Sequence, residues 1–86
     1  PNLPNPFNPA TRIIYDLAEA SDVRLEIYDL MGRNIKTLVN QTQGTGRHFI
    51  TWNGNDHTGN QVGAGIYLYR LHAGNKIFSR KMILMK

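Results

Sequence analysis

Residues 22–33 read Asp-Val-Arg-Leu-Glu-Ile-Tyr-Asp-Leu-Met-Gly-Arg, and this alternation decides the fold class. Val23, Leu25 and Ile27 fall on one face of an extended chain, with Arg24, Glu26 and Tyr28 on the other, because successive strand side chains point to opposite sides. Met31-Gly32-Arg33 is then a tight connection in which Gly32 can take positive φ. Residues 22–30 and 34–39 are thus the arms of a hairpin.

Working outward, the same period of two marks residues 12–17 as a preceding strand and residues 47–52 as a following one, with His48, Ile50 and Trp52 on one side. Gln41 to Gly46 is polar and Gly-containing, which predicts a turn. Asn53-Gly54-Asn55-Asp56-His57-Thr58-Gly59-Asn60 is dense in residues that bond their own backbone or accept left-handed φ, which predicts a longer loop. Residues 66–73 are apolar on both faces at their start, as expected of a central strand buried twice. Ala73-Gly74-Asn75 turns the chain, and residues 76–85 form the last strand. Good helix formers gather only at Leu17 to Ala20, and a segment of that size is too short to be a stable helix. Short strands separated by turn chemistry predict an all-β chain, an antiparallel sandwich in preference to a small barrel.

Length and composition fit that reading. The 86 residues suit one core, and 41% hydrophobic with 19% charged residues predicts a folded chain. Residues 1–86 are read as a single domain, with residues 1–11 as a Pro/Asn-rich lead-in and 12–86 as the core. All four prolines lie in that lead-in; proline fixes φ and lacks a donor, so the segment runs extended or in turns, with Phe7 as its apolar anchor. The chain has no cysteine, so disulfides and thiolate chemistry are excluded. No apolar run reaches the ~18 residues of a membrane-spanning helix. The chain starts at Pro1 rather than Met and is read as a piece of a longer protein, with any catalytic domain or export signal upstream.

Residues that carry chemistry are sparse. His48, His57 and His72 show no ligand spacing, Ser21 and Ser79 lack a nucleophile context, and the carboxylates number six, so neither a metal centre nor an enzyme is expected. Asp56 stands without a second acid near it, and capping of loop amides describes it better than cation binding. The net charge of +4 is dispersed, which argues against nucleic acid. Phe49, Trp52, Tyr67 and Tyr69 can be drawn as a stacking platform for bases or sugars, yet Trp52 and Tyr67 fall where a sandwich needs core fillers. One local concentration remains, Arg80, Lys81 and Lys86 around Met82-Ile83-Leu84-Met85. It reads as an edge strand guarded by basic residues, and also as an edge that a partner strand can extend.

Two segments at opposite ends point to a family. Asn2-Leu3-Pro4-Asn5-Pro6-Phe7-Asn8-Pro9 at the start and Gly65-Ile66-Tyr67-Leu68-Tyr69-Arg70-Leu71 with residues 80–86 at the close resemble the type A C-terminal sorting domain of the type IX secretion system. Residues 23–32 and Trp52-Asn53-Gly54-Asn55-Asp56 resemble it too, and the relatives of that family include the immunoglobulin-like domain of the flagellar hook-capping protein. The resemblance implies an immunoglobulin-like antiparallel β-sandwich of about seven strands. Six are read directly, and the seventh falls to residues 2–7 or 61–64. It further implies a non-catalytic signal, without cofactor or metal, that directs an upstream cargo domain to the cell surface or medium through the periplasm and outer membrane. The partners would be an outer-membrane receptor and sortase machinery. By position, Gly65, Tyr67, Arg80, Lys81, Met82, Ile83, Leu84, Met85 and Lys86 match the recognition motifs, and Pro4, Asn5, Pro6 and Phe7 the opening motif. The rival readings are a structural immunoglobulin-like spacer or assembly domain and a carbohydrate-binding module.

Overall fold

The computed structural model describes residues 10–85. Among them it forms six strands: β1 (Thr11–Leu17), β2 (Ser21–Asp29), β3 (Asn34–Gln43), β4 (Gly46–Trp52), β5 (Gly65–Ala73) and β6 (Lys76–Leu84). β1 and β4 make a two-stranded sheet, and the other four make a second sheet in the order β3-β2-β5-β6. Every pairing is antiparallel. The expected seventh strand is not formed by residues 61–64, where Gln61 makes only an isolated bridge to Asn55. The alternative, residues 2–7, lies outside the described residues, as does the expected anchoring of Phe7.

The alternation in β2 does what its sequence dictates. Val23, Leu25 and Ile27 are sealed in the core, and Ile13, Tyr15 and Leu17 of β1 close over them from the small sheet. Trp52, Tyr67, Leu71 and Leu84 complete the same cluster. Fully burying side chains of this size contributes roughly 1.5–3 kcal/mol each. The sandwich therefore rests on a short list of residues drawn from both sheets.

β3 runs to Gln43, beyond the predicted end at Val39, and the turn expected over residues 41–46 contracts to Gly44 and Thr45. Its apolar residues Ile35, Leu38 and Val39 do not follow a period of two, and the pairing with β2 shows why. The register shifts between Leu25 and Glu26 and again between Ile27 and Tyr28, leaving Leu38 and Ile35 as the extra residues of two bulges. Each bulge resets which face the strand presents, so all three apolar side chains lean on the core.

β5 is central in its sheet, as predicted, but is buried on one face only. Tyr67 and Leu71 point inward, while Ile66 and Arg70 on the other side are exposed. The small sheet covers one face of the large sheet, and the other meets solvent.

Both hairpin turns carry the chemistry their geometry needs. Between β2 and β3, Asp29 Oδ1 accepts from the Met31 and Arg33 amides at 2.9 Å each, Oδ2 accepts from Arg33 Nε at 2.7 Å, and Gly32 has φ +84°. That is a three-residue loop closed by a left-handed glycine. Between β5 and β6, Gly74 at φ +61° leads a two-residue turn, the glycine-first form that matches strand twist.

Candidate functional site

The residues singled out by position converge on β6 and the start of β5. Gly65 opens β5 opposite Leu84, and Tyr67 lies opposite Met82. Tyr67 is buried against Trp52, with ring centroids 5.2 Å apart in an edge-to-face arrangement, and its hydroxyl donates to the Gly63 carbonyl at 2.7 Å. It fastens the 53–64 loop to the core from the inside.

β6 forms an edge of the large sheet. Its register to β5 places Arg80, Met82 and Leu84 on the side of Tyr67 and Leu71, and Lys81 and Ile83 on the outer face. Leu84 is 2% exposed, Met82 packs against the core, and Ile83 and Met85 are exposed with Arg80 and Lys81. The terminal segment is thus split, with one residue set holding the strand down and another presented to solvent. Lys86, Pro4, Asn5, Pro6 and Phe7 lie outside the described residues.

The other candidates resolve into structural roles. Asp56 Oδ1 accepts from the Thr58 hydroxyl at 2.6 Å and from the Thr58 and Asn60 amides at 2.9 and 3.0 Å. These bonds, the Thr58 hydroxyl first, hold its carboxyl below the usual carboxylate range. The anion is satisfied within its own loop, as its sequence context predicted. Trp52 Nε1 donates to the Asn55 carbonyl at 2.8 Å and the ring is fully buried, which removes it from any sugar-stacking surface. His48 stacks on Tyr15 and bonds the Gly44 carbonyl through Nε2 at 2.7 Å. Among the described residues no group of three or more His, Asp or Glu converges as a metal site.

Two features escaped the sequence reading. On the outer face of the large sheet, Glu26 Oε1 accepts from Arg24 Nε and from the Tyr28 hydroxyl at 3.0 Å each, and Arg24 Nη2 stands 3.2 Å from His72 Nε2. Arg24 and His72 come together only through the β2–β5 register, which no local pattern announces. At the β2–β3 turn, Leu30 and Met31 are 62% and 81% exposed on a tip locked by Asp29. The turn itself is predicted at Met31-Gly32-Arg33 and forms with Gly32 at positive φ; the exposure of Leu30 and Met31 on it is not predicted.

Comparison with known proteins gives the fold its relatives. The model of the FlgD Ig-like domain family matches residues 8–76, ending at the first residue of β6. FlgD from P. aeruginosa is similar in structure, with a TM-score of 0.68 and 23% identity over 87% of this chain and 60% of that one. FlgD from Xanthomonas campestris, whose structure is described as giving insight into the hook capping essential for flagellar assembly, has a TM-score of 0.68 and 23% identity over 90% of this chain and 56% of that one. The chain therefore corresponds to less than two thirds of either neighbour. No curated protein matches it.

Proposed function

The chain belongs to the FlgD Ig-like domain family, and from that membership we propose that it is a non-catalytic structural domain that works by docking to other proteins. The observation that carries this reading is the family match across β1 to β5. Flagellar hook capping is the assembly role attached to the neighbour from Xanthomonas campestris. A chimera tests it. This chain replaces the Ig-like domain of a hook-capping protein in a strain lacking that protein, and restored hook growth supports an assembly module.

A second reading rests on β6. Its exposed residues Arg80, Lys81 and Ile83, with Met85 just past its end, together with the Pro4 to Phe7 run, favour a type IX sorting signal read by an outer-membrane receptor. An upstream cargo domain would be exported through the periplasm to the surface or medium, with sortase cleavage and anchoring. The test is export of a fluorescent reporter bearing an N-terminal signal peptide and fused ahead of residues 1–86, in a type IX-competent cell. Surface display that disappears when Arg80 and Lys81 are both changed to Glu in a folded domain supports sorting. Periplasmic retention of the native fusion sinks it and leaves the assembly module.

A further inference from the structure

The two sheets do not close along β6. A groove of about 580 Å³ is lined by Ile14, Tyr15 and Asp16 of β1, Tyr69 and Leu71 of β5, and the Ile77–Arg80 stretch of β6. Ile14 and Phe78 are more than half exposed. Among the described residues no strand pairs with the outer edge of β6, and its pairing with β5 runs from Lys76 to Leu84 without a register shift. The edge at the other end of this sheet, β3, carries two shifts. A straight edge beside an apolar groove offers main-chain donors and acceptors together with seats for alternate side chains.

Charge decides what fits. At the middle of the strand Arg80 lies on the groove side and Lys81 on the outer side, and β6 contains no carboxylate. A second copy pairing antiparallel about Arg80 would set Arg80 opposite Arg80, and one pairing about Lys81 would set Lys81 opposite Lys81; like charges directly opposite are destabilising. We infer that β6 accepts a strand from a partner polypeptide whose middle carries two consecutive carboxylates opposite Arg80 and Lys81, with flanking apolar side chains filling the groove against Ile14, Leu71 and Phe78. The inference rests on the reading that this domain works by docking to proteins. Main-chain pairing supplies the length of the contact, and the charge pair sets its register and excludes basic strands.

The test uses the 86-residue chain and a labelled, end-blocked nonapeptide, Thr-Thr-Val-Glu-Glu-Thr-Val-Thr-Glu. Set antiparallel, it places its paired glutamates opposite Lys81 and Arg80 and its valines opposite Met82 and Phe78. Anisotropy titration should show binding, and hydrogen exchange should show new protection confined to β6. The same peptide with lysine for the two consecutive glutamates should bind roughly tenfold more weakly or worse. R80E/K81E should reverse the order of the two peptides, and R80Q/K81Q should erase it should the reversal variant fail to fold. Equal binding of both peptides overturns the inference. So does protection away from β6, dimerisation of the chain through β6, or binding that appears only after residues 1–9 are deleted. Peptide binding that fails while chimera or reporter activity persists defeats this inference alone. Peptide binding that holds while both cell assays fail defeats the proposed function alone.

Discussion

Trp52 of β4 and Tyr67 of β5 meet edge to face across the sandwich, with ring centroids 5.2 Å apart and an interplanar angle of 70°. The pair ties the small sheet to the large one, and each ring also holds the 53–64 loop through one hydrogen bond, Trp52 to Asn55 and Tyr67 to Gly63. Trp52→Ala should cost about 3–5 kcal/mol in urea unfolding. Tyr67→Phe should cost about 1 kcal/mol, the contribution of one hydrogen bond. Equal costs for the two would mean that the rings are not the joint.

Because Trp52 is the sole tryptophan and fully buried, its emission should be blue-shifted and protected from iodide quenching in the folded chain. Adding a soluble polysaccharide should leave both unchanged. A quench-accessible tryptophan that a polysaccharide protects would revive the carbohydrate-binding reading.

Acid should destabilise the domain through three aspartates. Hydrogen bonding from Arg47 lowers the Asp16 carboxyl, the Arg33 amide lowers Asp29, and the Thr58 hydroxyl lowers Asp56. Each therefore binds its proton more weakly in the folded chain than in the unfolded one. Their stabilisation is fully present above the unfolded carboxylate value of about 4 and is lost as pH falls through the lower folded values. The melting temperature should be nearly flat between about pH 5 and 7 and should drop below about pH 4. The D16N/D29N/D56N variant should be less stable at neutral pH and show a shallower acid drop; an unchanged acid profile in that variant would place the titration elsewhere.

The last strand holds its two residue sets apart, and mutation can separate them. Leu84→Ala should destabilise by about 2–5 kcal/mol, because the side chain is 2% exposed within the core cluster. R80E/K81E should change stability by no more than about 0.5 kcal/mol. Deleting residues 80–86 removes Leu84 and so confounds recognition with unfolding, which makes the charge reversal the cleaner probe. A Leu84→Ala variant with native unfolding midpoint contradicts this division.

The strands are legible in the sequence because Val23-Arg24-Leu25-Glu26-Ile27 and His48-Phe49-Ile50-Thr51-Trp52 each carry an uninterrupted period of two. The full length of β3 is not, because Ile35, Leu38 and Val39 share the core only through two bulges that erase the period. The central place of β5 is legible but its one-sided burial is not, since Ile66 and Leu68 look like core residues in isolation. Their face is open because the small sheet lies on the other side. The edge position of β6 was legible from Arg80 and Lys81 among apolar neighbours. The groove beside it was not, because Ile14 and Phe78, which both line it, are 64 positions apart in sequence.

The bulges in β3 also limit how many neighbours the large sheet can take. A sheet with two straight edges is a link and can be extended from both sides, as fibres are. Here one edge is kinked twice and the other is regular, so the four-stranded sheet behaves as a terminator with a valence of one. Strand addition would then lengthen this sheet from the β6 side alone, and high local concentrations of the domain should yield stoichiometric complexes with a partner strand rather than chains of the domain itself.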